Sequence, residues 1–180
     1  MTPRSIAKLG HPILLTRAAP IADPDSAEVQ ELIDDMRATL AQAQGLGLAA
    51  PQVFRSLRLI LALPIAERGE RPDAEPLALV NPELTPLGDT MEAAFEGCLS
   101  IPELRGWVPR YRRVGYRALD RRGRPISGEA EGLFARILQH EVDHLDGILF
   151  PMRMSDLRHL AFTDEVHHLA RWMAQEGNQA

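Results

Sequence analysis

The stretch His140-Glu141-Val142-Asp143-His144 contains two histidines four residues apart, with a glutamate directly after the first. Positions four apart lie on the same face of a helix, so His140 and His144 can aim two imidazoles at one point. Glu141 is then close enough to reach a water held at that point. This HExxH pattern supplies two neutral nitrogens for a metal and one carboxylate for proton transfer.

The residues on either side of this motif favour a helix. Residues 132–139 are apolar at helical spacing, and Gly147 follows just past the expected end. Because the bare pattern also occurs by chance in unrelated proteins, the alternative is an exposed helix with scattered histidines and glutamates. A catalytic metal site needs a third ligand from elsewhere in the chain.

The composition is ordinary for a globular protein, with 45% hydrophobic and 25% charged residues. The 180 residues fit a single domain over 1–180, with a C-terminal helix and tail from about 155. The net charge of -5 argues against direct nucleic-acid recognition. The start lacks the apolar core of a signal peptide, and no run approaches the roughly 18 apolar residues of a membrane span. We therefore expect a cytoplasmic protein without a membrane partner.

Apolar periodicity along the chain predicts an α+β fold. Helical spacing predicts an N-terminal helix from an N-cap at Asp25 or Ser26 to about Ala43, and a last helix at 164–176. Apolar and alternating runs predict strands, the last two joined by a turn at Arg122-Gly123. These strands are expected at 57–63, 77–80 ending at Asn81-Pro82, 84–87, 108–111, 114–119 and around Ile126. Since the strands mostly follow one another, we expect a compact single domain of mostly antiparallel β-sheet around the central HExxH helix.

Three other segments have a distinctive composition. Residues 45–52, Gly-Leu-Gly-Leu-Ala-Ala-Pro-Gln, make a poor helix and a poor interior strand. They suit close approach of the backbone to a ligand, and the alternative is a tight connector between helix and strand. Residues 67–75 are charged and contain proline and glycine, which predicts a loop. Seven arginines between Arg110 and Arg124 alternate along predicted strands, which favours a solvated sheet face over an RNA site.

Three candidates could complete the metal site. The HExxHxxGxxH pattern fails, because its last position is Phe150, which cannot bind metal. A downstream glutamate, as in thermolysin-like proteases, could be Glu165. The third candidate is Cys98, since a thiolate binds divalent metals well and the metal itself lowers the thiol pKa. A lone cysteine is often a small core residue, but Gly97 lets the backbone come close to it.

Three stretches together resemble the signature motifs of the peptide deformylase family. They are Gly-Leu-Gly-Leu-Ala-Ala-Pro-Gln at 45–52, Glu-Gly-Cys-Leu-Ser at 96–100 and Gln-His-Glu-Val-Asp-His-Leu-Asp-Gly at 139–147. They occur in the family's order, and the similarity spans about residues 5–152. The resemblance implies a compact α+β fold that removes the formyl group from the initiator methionine of new peptides. It also implies one divalent metal ion per chain, Fe²⁺ in the cell, with Zn²⁺, Ni²⁺ or Co²⁺ in a purified form.

Carried over position by position, the resemblance implies a role for each residue of the site. The implied metal ligands are Cys98, His140 and His144. A metal-bound hydroxide then attacks the formyl carbon and formate is released, while Glu141 acts as general base and acid. The oxyanion is stabilised by the Gln52 side chain and the Leu99 backbone N–H. Substrate contacts are expected from Leu46, Gly47, Gly97, Arg105, Leu133, Arg136 and Ile137.

The resemblance implies N-formylmethionyl nascent peptides as partners, and a transient contact with the ribosome is a further expectation. Two positions depart from many family members, because Arg136 replaces an apolar residue and Gln44 replaces an acid. These departures leave the pocket shape open. Two alternatives also remain, a thermolysin-like zinc endopeptidase that uses Glu165 and a catalytically silent metal-binding homologue.

Overall fold

The computed structural model describes residues 2–65 and 75–176, and within them three α-helices and eight β-strands. The helices are α1 (Ala27–Ala43), α2 (Gly132–Leu145) and α3 (Val166–Glu176). The strands are β1 (Gly47–Ala49), β2 (Leu59–Ala62), β3 (Leu77–Pro86), β4 (Met91–Cys98), β5 (Ile101–Tyr111), β6 (Arg113–Leu119), β7 (Pro125–Glu131) and β8 (Leu160–Phe162). Short 3₁₀ turns occur at Pro12–Leu15, Ala50–Val53, Phe150–Arg153 and Leu157–His159.

The strands form two antiparallel sheets that share α2 as their packing partner. One sheet has the order β1-β2-β3-β6-β7 and the other the order β4-β5-β8. Helix α2 contacts strands of both sheets. The predicted α+β class, with antiparallel sheet around the HExxH helix and a helix near each end of the chain, is confirmed.

The apolar stripes of α1 and α2 explain where these helices lie. Leu138 and Leu145 of α2 are fully buried in a cluster with Ile60 and Leu79 of the larger sheet. Each such side chain contributes roughly 1.5–3 kcal/mol relative to an exposed one. Helix α1 packs its own stripe on a second cluster, which includes Leu48 of β1. The strand that carries the Gly-rich segment is therefore held between both helices.

Helix ends agree closely with the sequence pattern. Helix α1 begins after an N-cap at Ser26, although the serine side chain makes no capping hydrogen bond, and it ends at Ala43 as predicted. Helix α2 ends just before Gly147, and α3 begins at Val166, two residues after the predicted start. Most of the charged loop predicted at 67–75, and the tail after Glu176, lie outside the described residues.

The prediction that a strand ends at Asn81-Pro82 is wrong. Strand β3 continues to Pro86 and joins the two strands expected at 77–80 and 84–87. The register with β6 shifts between Val80 and Glu83, so the proline lies in a bulge where no ladder hydrogen bond is required. Asn81 has a positive φ of 50°, and its side-chain amide exchanges two hydrogen bonds with the backbone of Ile21.

The Gly-rich segment 45–52 is more regular than its composition indicates. Its centre forms β1, an edge strand that pairs with β2 on one side, and Ala50–Val53 form a 3₁₀ turn. An edge position tolerates glycine and proline because one side of the strand makes no ladder. Among the described residues, no helix combines the length and apolar character needed to cross a membrane.

Candidate metal centre

Three predicted ligands lie together where β4 meets α2. Cys98 is the last residue of β4, and the two histidines of the HExxH motif lie on successive turns of α2. One ligand atom from each of Cys98, His140 and His144 lies within 4.8 Å of the other two. The Cys98 Sγ is 3.3 Å from His144 Nε2, and all three residues are buried. Helical spacing thus aligns the imidazoles, and the β4–β5 turn brings the sulfur to them.

The donor set fits a divalent transition metal. One thiolate and two imidazoles form an accepted catalytic zinc-type set that leaves a coordination position open. The His140 Nδ1 is already paired with the Glu96 carboxylate at 2.9 Å, which leaves Nε2 to face the ligand cluster. Glu165 is exposed and does not belong to the cluster of metal-capable side chains found among the described residues. The geometry therefore favours Cys98 over Glu165 as the third ligand.

Glu141 lies beside the ligands in a tightly packed position. Its side chain is buried, and its Oε2 has no hydrogen-bond partner in the described part of the chain. A Cβ at Gly47 would overlap the Glu141 carboxylate, so only glycine lets β1 approach this closely. Burial raises the pKa of Glu141 to about 7. A carboxyl group with such a pKa can both accept and return a proton near neutral pH.

The Gln52 amide is held in one orientation by its neighbours. Its Oε1 accepts a hydrogen bond from the Ala49 N–H at 2.8 Å, and its Nε2 donates to Ser100 Oγ at 3.1 Å. The same Nε2 is 3.6 Å from the Cys98 Sγ. The amide donor therefore faces the ligand cluster. Leu99 lies between β4 and β5, and it lines a cavity that adjoins the ligand cluster.

A buried cluster of charged side chains contacts His140 through its Nδ1 atom. The Glu96 carboxylate accepts hydrogen bonds from Arg110 Nε at 2.9 Å, Arg110 Nη2 at 3.0 Å, Arg136 Nη1 at 2.8 Å and the His140 ring. Burial acts to raise the pKa of Glu96, but the hydrogen bonds from His140 and Arg110 outweigh it and hold this pKa at about 2. Glu96 is therefore ionised, and His140 must donate through Nδ1.

Arg110 also connects Glu96 to Asp143, a residue within the HExxH motif. Its Nη1 donates to Asp143, and Asp143 accepts two hydrogen bonds from Arg153 at 3.1 and 2.6 Å. The prediction that Arg110 belongs to a solvated face is wrong, because its side chain is only 5% exposed. Its position two residues after the fully buried Val108 on β5 is the signal that the sequence analysis missed.

An open cavity of about 470 Å³ adjoins the ligand cluster. All seven residues predicted to contact substrate line it: Leu46, Gly47, Gly97, Arg105, Leu133, Arg136 and Ile137. Gln52, Cys98, Leu99, His140 and Glu141 also face it. The Arg105 guanidinium lies directly over Gly97, where any Cβ would overlap it. The cavity is also lined by seven residues that were not among the predicted substrate contacts: Ala43, Gln44, Gly45, Phe95, Glu96, Pro102 and Glu103.

Comparison with known proteins places these features in a family. The polypeptide deformylase family profile matches residues 3–159. Peptide deformylase 1 of Bordetella pertussis is 49% identical over 164 residues, covering 89% of this chain and 92% of the relative. Peptide deformylase 1 of Nitrosomonas europaea is 44% identical and covers 91% and 94%.

Solved structures give the same result at the level of the fold. A class I type b peptide deformylase from Acinetobacter baumannii, bound to Met-Ala-Ser, has a TM-score of 0.78 and 39% identity, with 85% of this chain and 100% of that one covered. Peptide deformylase from Thermotoga maritima has a TM-score of 0.78 and 34% identity, with coverage of 87% and 100%. The chain therefore belongs to the polypeptide deformylase family.

Proposed function

We propose that this chain is a metal-dependent hydrolase that removes the formyl group from N-terminal formylmethionine of newly made polypeptides and releases formate. The observation that carries the proposal is the Cys98, His140 and His144 cluster, which lies beside Glu141 on a cavity within a deformylase fold. We further propose that residues 1–180 act as one catalytic domain in the cytoplasm, with a transient contact to the ribosome.

Cys98 Sγ and one ring nitrogen from each of His140 and His144 would hold the ion. When bound, a divalent ion supplies Lewis-acid catalysis at this end of the cavity. A site of this type binds Zn²⁺ more tightly than Fe²⁺ in the Irving–Williams order. We therefore propose Fe²⁺ in the cell on the basis of supply, with Zn²⁺, Ni²⁺ or Co²⁺ retained after purification.

Proton transfer is assigned to Glu141. Its carboxylate takes a proton from the attacking water and passes it to the nitrogen of the leaving amine. The pKa of about 7 suits both steps, because the group can then change protonation state at neutral pH. Gly47 leaves the space that this side chain needs beside β1.

Gln52 and Leu99 are assigned to the oxyanion that forms when the formyl carbon becomes tetrahedral. The Gln52 Nε2 is preoriented by the Ala49 and Ser100 contacts, so little reorganisation is needed as charge develops. The Leu99 N–H is the second donor. A neutral amide suits this place, since a carboxylate would repel the oxyanion.

The substrate chain is proposed to bind along β1. This strand is at the edge of its sheet, and an extended peptide can add to such an edge through main-chain hydrogen bonds. Leu133 and Ile137, with the methylene stem of Arg136, form an apolar wall of the cavity that suits a methionine side chain. The methionine-first peptide bound to the Acinetobacter baumannii relative supports this assignment.

The direct test is formate release from a formyl-Met-Ala-Ser peptide by the Fe²⁺ form under anaerobic conditions. We expect formate and the free amine, with no internal peptide bond cleaved. Internal cleavage without formate would instead support the endopeptidase alternative. No reaction with Fe²⁺, Zn²⁺, Ni²⁺ or Co²⁺ would support a catalytically silent homologue.

A further inference from the structure

Arg136 lines the cavity, and its guanidinium is held by three acceptors of the protein itself. The Nη1 atom donates to Glu96 Oε1 at 2.8 Å and to the Val108 carbonyl at 2.7 Å, while Nη2 donates to the Glu92 carbonyl at 2.6 Å. The side chain is 12% exposed. Because three acceptors on β4 and β5 already occupy the guanidinium, it is poorly placed to bind a substrate group by charge.

The Glu96 carboxylate connects Arg136 to His140, one of the proposed metal ligands. Glu96 Oε1 accepts from Arg136, and Glu96 Oε2 accepts from His140 Nδ1 at 2.9 Å. Arg136 and His140 are four residues apart on α2, so they lie on one face of the helix. The two donors and the carboxylate therefore close a ring along that face, in which moving Arg136 would move the acceptor of His140.

Arg110 does not make this contact redundant. Arg110 reaches Glu96 from β5, whereas Arg136 reaches it from the helix that carries both histidines. Arg136 also fixes the backbone of both strands of the β4–β5 hairpin through the Glu92 and Val108 carbonyls. A planar guanidinium can hold several acceptors in fixed directions, which lysine or an apolar residue cannot do. The contact thus sets the distance between α2 and the hairpin that supplies Cys98.

We propose that Arg136 is a positioning residue, which acts through Glu96 to fix the orientation of the His140 imidazole toward the metal position and does not bind substrate through its charge. Partners that orient a metal-binding histidine affect metal affinity or activity by about 10- to 100-fold when they are removed. The kinetic part of this inference rests on the proposed function, whereas the metal-retention part does not.

The test compares Arg136→Met, which keeps a similar apolar stem, with Arg136→Lys, which keeps the charge. Each protein is loaded with Co²⁺, and the rate of cobalt release to a chelator and the visible absorption bands are measured. Arg136→Met should release cobalt about 10-fold faster with altered bands, and Arg136→Lys should show a smaller change. With formyl-Met peptide, kcat should fall in Arg136→Met while KM changes by less than about twofold.

A matched control is Arg121→Met. Arg121 also donates to other side chains, Gln30 and Asp34, and neither of these residues lines the cavity. Cobalt release from this variant should equal that of the wild type. A second comparison places Arg136→Met in a Glu96→Gln background, where it should cause no further acceleration, because the path from Arg136 to His140 is already weakened.

Wild-type cobalt release and absorption in Arg136→Met, with a raised KM, would overturn the proposal and assign Arg136 to substrate binding. Equal acceleration by Arg136→Met with and without Glu96→Gln would overturn it as well. If Arg136→Met does not fold, as judged by circular dichroism, Arg136→Lys with and without Glu96→Gln provides the same comparison. If the wild type releases no formate, the proposed function fails, and cobalt release still decides the role of Arg136.

Discussion

Arg110 and Arg113 are three residues apart in the chain, but they occupy opposite environments. The Arg110 side chain is 5% exposed and is hydrogen-bonded to two buried carboxylates, Glu96 and Asp143. The Arg113 side chain is 49% exposed and pairs across the β6–β7 hairpin with Glu129 at 3.0 Å. Breaking a buried pair leaves an uncompensated charge, whereas an exposed pair exchanges its partner for water. Similar charges are therefore expected to matter very differently inside and outside the site.

The largest contrast is expected between two glutamates. Glu141→Gln should lower kcat for formate release by about 100- to 10,000-fold while bound metal is unchanged, because the amide cannot transfer the proton. Glu129→Gln, which changes a carboxylate on the exposed pair, should leave kcat at the wild-type value. Formate release and metal content measure both effects. A near-normal rate in Glu141→Gln would remove it as the general base.

The second contrast concerns the stability of the metal-free protein. Arg110→Met should reduce the free energy of unfolding by about 3–5 kcal/mol, because Glu96 and Asp143 lose a shared buried partner. Denaturant unfolding measures this change. A loss below about 1 kcal/mol, the range of an exposed pair, would show that water or other donors replace Arg110 fully.

Two glycines test the same difference between the site and the rest of the protein without a change of charge. Gly47→Ala should destabilise the protein by about 1–3 kcal/mol and impair turnover, because its Cβ would overlap the Glu141 carboxylate. Gly115→Ala is the matched control, since a Cβ there would lie 3.7 Å from Leu87 in ordinary contact. Thermal unfolding and formate release should separate the two variants. Equal behaviour would mean that β1 can move away from Glu141 at little cost.

The smallest effect is expected for Arg113→Met. Loss of its exposed pair with Glu129 should change the free energy of unfolding by about 0.2–1 kcal/mol, and high salt should reduce the difference further. Denaturant unfolding at low and high salt is the measurement. A loss of unfolding free energy as large as that of Arg110→Met would show that the buried Arg110 and the exposed Arg113 contribute equally to stability.

The sequence predicted the parts of the site that depend on local spacing. His140, Glu141 and His144 are placed by the geometry of one helix, so their relation can be deduced from their positions in the chain. The family resemblance then assigned Cys98, which reaches them through the β4–β5 turn. The antiparallel sheet also followed from the order of the predicted strands.

The supporting charges could not be predicted in the same way. Glu96 and Arg110 meet because β4 and β5 form a hairpin whose register shifts near Cys98, and no local pattern specifies that register. The alternation of arginines from Arg110 onward predicts a solvated face, but Val108 lies on the buried side of β5 and Arg110 shares that side. The passage of β3 through Pro82 similarly depends on a bulge and on the distant Ile21 backbone.

Cys98, His140 and His144 are proposed to hold one divalent ion between them. The decisive measurement is the metal content of purified Cys98→Ala, with Glu165→Gln as the matched control for the other candidate ligand. We predict that Cys98→Ala loses most of its bound metal and its formate release, while Glu165→Gln keeps both. Wild-type metal content in Cys98→Ala, together with metal loss in Glu165→Gln, would exclude Cys98 as a ligand and assign that role to Glu165.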